Sequence, residues 1–181
     1  STAIAGYSAG MRIESLSIVP MLAMGNAMST FTAQNMGAGK IDRVKEGYRM
    51  CYVIVLTAGA VLCVMYQLAG GAFVSLFLDS GSSEAYSVGL SYVKFLSFFY
   101  SFIGLKASTD GLLRGAGDVT AFTVANLVNL AIRVSVTNLF APVYGIQVAW
   151  MAVPLGWAAN YVISFGWYLT GKWKKVRVIK K

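Results

Sequence analysis

The sequence of 181 residues is 57% hydrophobic and only 12% charged, and its 15 Lys and Arg residues outnumber its 7 Asp and Glu residues. A soluble domain carries about a quarter charged residues, so this composition all but excludes a soluble enzyme or a DNA-binding domain. The sequence contains no histidine, which leaves little from which to build a metal site or a His-dependent catalytic centre, and we expect no metal and no cofactor.

Five apolar stretches are each long enough to cross a bilayer, which takes about 20 residues in a helix. In chain order they cover residues 7–36, 47–68, 85–113, 119–140 and 145–169. They lack the alternation of membrane-spanning strands. The sequence therefore predicts an all-α integral membrane protein, with a helical lobe over residues 1–171 and a basic tail over 172–181. Turn-forming residues at 115–118 and 141–145 separate the later helices.

The first stretch contains ionisable residues and a proline. Arg12 and Glu14 lie two positions apart, so they point to different faces and are not expected to pair with each other. Pro20 frees a backbone carbonyl in the middle of this stretch, and Pro154 does the same in the fifth. Both are candidate helix breaks that could expose polar groups to an ion or a substrate, and a simple kink is the alternative.

The third stretch contains Lys106 and Asp110, which are four residues apart and share a helix face. They could form a self-neutralising ion pair. Alternatively, Asp110 could pair with Arg133 or Arg114 and leave Lys106 to meet a substrate. Phe99 lies two turns from Lys106 and is a candidate for substrate contact.

The fourth stretch contains the most conspicuous charge, because Arg133 lies near its middle. Asn126, Asn129, Arg133 and Thr137 fall on one face of a helix. A polar stripe at that depth is expected to face a bundle interior or a water-filled cavity. The alternative is that Arg133 holds helices together through carbonyl groups and an acid.

An aromatic stripe runs along the fifth stretch at Trp150, Trp157, Tyr161 and Tyr168. Such stripes are usually packing or lipid contacts. In a cavity, Trp157 and Tyr161 would offer flat surfaces to bulky organic molecules.

The positive charges indicate an orientation. The first connection and its flanks contain four Lys and Arg residues, the second none, the third one and the fourth none, and the tail contains six. Positive charge stays on the cytoplasmic side, so we expect a multi-pass plasma-membrane protein whose first and third connections and C-terminus are cytoplasmic. The tail could also bind nucleic acid, but membrane anchoring explains it with fewer assumptions and we expect no nucleic-acid partner.

The chain opens at Ser1 without a basic segment or a cleavage site, so we expect a piece of a longer protein rather than a signal peptide.

Several short motifs together resemble one transporter family. They are Tyr-Ser-Ala-Gly-Met-Arg-Ile-Glu at 7–14, Gln-Asn-Met-Gly-Ala-Gly at 34–39, Leu-Arg-Gly-Ala-Gly-Asp at 113–118, Pro-Leu-Gly-Trp at 154–157 and the Gly-Lys-Trp that opens the basic tail. The combination resembles bacterial multidrug and toxic-compound extrusion (MATE) transporters over essentially the whole chain.

The resemblance implies twelve spans in two six-helix lobes around a cavity that opens alternately to either side. This chain would be the carboxyl lobe from its second helix onward, and its partners would be the missing amino-terminal lobe, membrane lipid and small organic substrates. The family exports organic cations and other amphipathic toxins in exchange for H+ or Na+. An acid that some members use in span ten would fall at about Ile103, so the coupling ion is left open.

Two alternatives remain from the sequence. One is a flippase for lipid-linked oligosaccharides, from the related superfamily, which would need a larger and more basic cavity. The other is a membrane fragment that transports nothing by itself. A membrane-embedded enzyme is the least expected, because the chain lacks histidine and paired acids.

Overall fold

A computed structural model describes residues 2–78, 83–145 and 147–175, and these residues form only helices and turns. The helices are α1 (Thr2–Gly37), α2 (Ile41–Val74), α3 (Ser83–Ser97), α4 (Tyr100–Gly115), α5 (Val119–Tyr144) and α6 (Gln147–Leu169), followed by a 3₁₀ turn at Lys172–Lys175. The predicted all-α fold is confirmed. Most of the second predicted connection, from Asp79 to residue 82, and the basic tail from residue 176 onward lie outside the described residues.

The predicted membrane-spanning segments correspond to these helices, but α2 is longer than the predicted 47–68, α5 runs past the predicted end at 140, and the third segment is bent. Within the described ranges, α1, α2, α5 and α6 are each long and apolar enough to cross a membrane, whereas α3 and α4, bent by 51° where they meet, qualify only as a pair, which gives four candidate spans or up to five. The sequence predicted one continuous segment over 85–113, whereas the chain turns at Phe98 and Phe99.

The break between α3 and α4 is stabilised by a side chain from another helix. The Gln67 amide of α2 donates hydrogen bonds to the Lys94 carbonyl at 2.9 Å and to the Ser97 hydroxyl at 2.9 Å. The Ser97 hydroxyl also donates to the Lys94 carbonyl at 2.7 Å, and the Phe99 amide bonds the Leu96 carbonyl at 2.8 Å in a tighter turn. Because side chains satisfy the freed carbonyl, the helix can bend inside a membrane without an orphaned acceptor.

The predicted helix breaks at Pro20 and Pro154 are absent. Both prolines lie inside continuous helices, and so does Pro142, which carries α5 on to Tyr144. The turn predicted over 141–145 is therefore confined to its end, where Gly145 has φ of 82°. A proline removes one backbone hydrogen bond, and membrane helices tolerate this where neighbouring groups compensate.

Two glycines bring α1 and α4 into close contact. A Cβ atom at Gly25 would lie 2.6 Å from the Ala107 carbonyl oxygen, and one at Gly111 would overlap the Gly25 carbonyl oxygen. Small residues at such crossings let membrane helices approach through their backbones. Helix α4 also packs against α2 and α6, whereas α5 packs mainly against α6.

The outer surface of the lobe is rich in large apolar side chains. Leu16 of α1, Leu68 of α2, Leu127 and Leu139 of α5 and Val162 of α6 are each more than half exposed. A surface this apolar is expected to contact acyl chains, which agrees with a multi-pass membrane protein.

Replacing Gly111 with alanine is expected to destabilise the lobe by about 1–3 kcal/mol, because the new methyl group overpacks the contact with α1. The measurement is thermal unfolding of the complete protein in detergent micelles. The control is Gly166→Ala, since a Cβ atom at Gly166 meets nothing within 4 Å. Equal unfolding temperatures for the two variants would contradict the close crossing of α1 and α4.

Candidate functional site

A polar network joins α4 to α5 in the interior of the lobe. The Lys106 ammonium lies 2.9 Å from Asp110 Oδ2 and donates to Asn126 Oδ1 at 3.1 Å. The Asn126 amide in turn donates to Asp110 Oδ2 at 3.2 Å. Of the two interpretations of Lys106 and Asp110, the structure shows the ion pair along one helix, supported by an asparagine from the next.

Helix α6 completes this network. The Ser164 hydroxyl donates to Asp110 Oδ1 at 2.6 Å, so both carboxylate oxygens have partners. Asp110 is only 4% exposed, and a carboxylate at that depth needs both a counter-ion and hydrogen bonds. Ser164 was not predicted from the sequence, although Asn160 and Ser164, four apart on one face of a largely apolar helix, were an available signal.

The network forms part of the wall of a polar cleft between α1, α4 and α5, with a volume of about 250 Å³. Arg114 also lines this cleft. Its Nη2 donates to Asn26 Oδ1 at 2.8 Å and its Nε to the Ser29 hydroxyl at 3.3 Å. The guanidinium carbon lies 5.7 Å from the centre of the Phe122 ring. All of these Arg114 partners are uncharged.

The residues of the predicted polar stripe on α5 contact two different helices. Asn126 contacts α4, whereas Asn129 and Arg133 lie against Gly156 of α6, where a Cβ atom would overlap Asn129 Oδ1 and sit 2.9 Å from Arg133 Cγ. Asn129 Oδ1 is buried without a hydrogen-bond partner. Arg133 is exposed on the lobe surface and forms no ion pair with any carboxylate in the described ranges.

Glu14 is a second buried carboxylate, away from the cleft. It accepts a hydrogen bond from the Tyr92 hydroxyl of α3 and is buried, while Arg12 is exposed. The two residues therefore lie on different faces of α1, as their spacing predicted.

Phe99 and Pro154, which were separate candidates in the sequence, both line an apolar cleft of about 320 Å³ at the bend between α3 and α4. Phe95, Phe99 and Phe102 line it from the bend, and α6 contributes Pro154 and its neighbours. With a lining of this composition, the cleft can hold a hydrocarbon or an aromatic ring.

The remaining aromatic candidates lie elsewhere. Trp157 is 3% exposed in the core. The Tyr161 hydroxyl accepts a hydrogen bond from Tyr52 at 3.2 Å, in a cluster that also contains the hydroxyls of Tyr48 and Thr109. Neither Trp157 nor Tyr161 lines either cleft. In the part of the chain that the structure describes, no three His, Cys, Asp or Glu residues are grouped as a metal site would require.

Comparison with known proteins gives consistent matches. The family model MatE matches residues 1–152. The chain is 28% identical over 176 residues to the probable multidrug resistance protein YpnP of Bacillus subtilis, covering 97% of this chain and 39% of that protein. It is 22% identical over 188 residues to the probable multidrug resistance protein NorM of Thermotoga maritima, covering 99% of this chain and 39% of that protein.

One solved structure has the same fold. It is an inward-facing conformation of a multidrug resistance MATE family transporter of the MOP superfamily, which superposes with a TM-score of 0.82 at 17% identity. The superposition covers 92% of this chain and 38% of that one. The chain thus spans about two fifths of the length of the relatives it matches.

Replacing Lys106 with methionine is expected to cost about 3–5 kcal/mol of stability, because it leaves the Asp110 carboxylate buried without its counter-ion. Unfolding of the complete protein in detergent, followed by heat or denaturant, measures this loss. The matched control is Lys45→Met. Lys45 pairs with Asp42 at 2.7 Å on the surface, where an ion pair contributes at most about 1 kcal/mol.

If Lys106→Met were no more destabilising than Lys45→Met, Asp110 would not depend on Lys106. The double variant with Asp110→Leu is expected to recover much of the loss, since it removes the unpaired charge.

Proposed function

Because the chain belongs to the MatE family, we propose that it forms the carboxyl-terminal lobe of a secondary active efflux transporter. In this proposal the lobe lines half of a water-filled passage, whose other half is an amino-terminal lobe. Amphipathic organic molecules leave the cell through the passage in exchange for H+ or Na+. Two relatives that bear the name probable multidrug resistance protein support export as the activity.

The observation that carries the proposal is the polar cleft within an apolar exterior. Lys106, Asp110, Asn126 and Arg114 all line it, while the outward surfaces of α2, α5 and α6 present leucine and valine. Ionisable groups inside a bilayer are costly and face a bundle interior or a water-filled cavity. A passage for solutes explains why the lobe keeps several of them together.

The packing of the helices supports a moving part. Asp110 of α4 is bonded to Asn126 of α5 and Ser164 of α6, and α5 packs mainly against α6. A displacement of α5 and α6 relative to α4 would therefore break this network, so the network can distinguish two states of the lobe. In this role Asp110 is a positioning residue that holds Lys106 and joins three helices.

We also propose a bacterial plasma membrane location with a cytoplasmic C-terminus. The basic start of α2 and the end of α6 lie at the same end of the lobe, since the Tyr48 and Tyr168 rings are 4.6 Å apart. The connection between α4 and α5 lies there too, because the Trp167 indole donates to Asp118 at 2.7 Å. Three positively charged regions on one side support the orientation given by the positive-inside rule.

The test is transport by the complete protein in proteoliposomes, with a pH or Na+ gradient imposed in separate experiments. Uphill movement of a fluorescent dye that stops when the gradient is collapsed is expected with one of the two ions. Asp110→Asn is expected to lower the initial rate at least tenfold, because Lys106 loses its counter-ion and an N–H donor replaces one of the two acceptor oxygens at the three-helix junction. Asp42→Asn, at an exposed site, is expected to transport normally.

Transport that is independent of both gradients would contradict the antiport proposal. Wild-type rates in Asp110→Asn and also in Asn126→Ala would show that the polar residues of α4 and α5 do not line the passage.

A further inference from the structure

We propose that the polar cleft of α1, α4 and α5 binds an anionic group of the transported molecule, a phosphate or a carboxylate, through Arg114 and Lys106. This inference rests on the proposed transport function and specifies its substrate class. An anionic substrate differs from the organic cations that the family resemblance implies. The inference follows from the pairing of the charged side chains in the cleft.

The only carboxylate that lines the cleft within the described residues is Asp110, and three of its roughly four acceptor positions are occupied by protein donors. Oδ1 accepts from Ser164, and Oδ2 accepts from Lys106 and Asn126. The side chain is also buried. A cationic substrate would have to displace the Lys106 ammonium from a 2.9 Å contact before it met any negative charge here.

The positive groups in the cleft, by contrast, retain free donors. An ammonium group has three N–H donors and a guanidinium has five. Lys106 uses two of its donors on protein oxygens, one on Asp110 and one on Asn126. Arg114 uses one N–H at Nε and one at Nη2. Both N–H groups of Nη1 and one of Nη2 remain free, and Nη1 and Nη2 can together donate the two parallel bonds that a carboxylate or phosphate accepts.

The charge of Arg114 is not neutralised by a neighbour. Its partners are the oxygens of Asn26 and Ser29 and the face of the Phe122 ring, and it forms no salt bridge with any described carboxylate. The side chains lining the cleft contain two cations and one anion, so the cleft is positive overall. It attracts an anionic group and repels a cation.

The dimensions of the cleft suit a small amphipathic anion. Lys106 and Arg114 are eight residues apart on α4, or about 12 Å along the helix axis. Leu22 and Phe122 also line the cleft and offer apolar contact to a ring or chain attached to the anionic group. The volume of about 250 Å³ in this lobe is slightly below the roughly 300–1,000 Å³ of small-molecule pockets.

The experiment compares two dyes that share a xanthene ring and differ in charge, carboxyfluorescein as the anion and tetramethylrhodamine methyl ester as the cation. Binding to the complete protein in neutral detergent is measured by fluorescence polarisation. The wild type is expected to bind the anion more tightly than the cation. Arg114→Gln is expected to weaken binding of the anion at least tenfold without weakening binding of the cation.

The matched control is Arg49→Gln, the same chemical change at an exposed arginine of α2 outside the cleft, and it is expected to alter neither affinity. Tighter binding of the cation by the wild type, or an equal loss of both dyes in Arg114→Gln, overturns the proposal. So does an equal effect of Arg49→Gln and Arg114→Gln on the anion.

A second variant tests the site without removing the arginine. Asn26→Asp places a carboxylate where Oδ1 already accepts from Arg114 at 2.8 Å, so it neutralises the guanidinium at an exposed position. It is expected to weaken binding of the anion at least tenfold. Unchanged binding in a folded Asn26→Asp protein overturns the proposal.

A lipid headgroup could supply the same chemistry as a substrate. Phosphatidylglycerol added to neutral micelles is therefore a competitor. Failure to displace carboxyfluorescein supports a soluble organic anion, and full displacement at a few lipids per protein assigns the site to lipid and overturns the substrate class.

Transport of the two dyes separates this proposal from the proposed function. If the ion gradient drives neither dye although the anion binds through Arg114, the function fails and the anion site stands. If the gradient drives the cation alone and Arg114→Gln has no effect on it, the function stands and the substrate class is wrong.

Discussion

The cost of placing a charge in hydrocarbon constrains this lobe more than any other factor. Insertion scales put an aspartate or a lysine at the centre of a membrane helix at about 2.5–3.5 kcal/mol each. The lobe meets that cost by surrounding Asp110 with a lysine one helical turn away, an asparagine from α5 and a serine from α6. The ion pair and hydrogen bonds that stabilise the buried carboxylate therefore also hold three helices together.

The same arrangement shapes the polar cleft. Close contact at Gly25 and Gly111 presses α1 against α4, which places Asn26 within hydrogen-bond distance of Arg114. One cation of α4 is thus neutralised by a carboxylate on its own helix, and the other is held only by neutral groups. The difference gives the cleft its positive character, because its lining contains two cations and only one carboxylate.

The sequence predicted those features that depend on local spacing and failed where distant residues decide. Lys106 and Asp110 are four apart, so their pairing could be predicted from helical periodicity. The break at Phe98 depends on Gln67, about 30 positions earlier in the chain, and Ser164 lies 54 residues from Asp110. Spacing along one helix does not reveal such partners. The prediction of helix breaks at Pro20 and Pro154 was wrong, because α1 and α6 continue through both residues.

The central claim is that the exposed polar residues of this lobe face water while its exposed leucines face acyl chains, and thiol accessibility tests it most directly. Asn26→Cys and Leu127→Cys would be made in the complete protein with Cys51 and Cys63 replaced by alanine. Both positions are exposed in the lobe, and each protein would be treated in membranes with a charged, membrane-impermeant thiol reagent. The account predicts that the cysteine at position 26 reacts at least tenfold faster than the one at 127. Equal rates at the two positions, or faster labelling at 127, would contradict it.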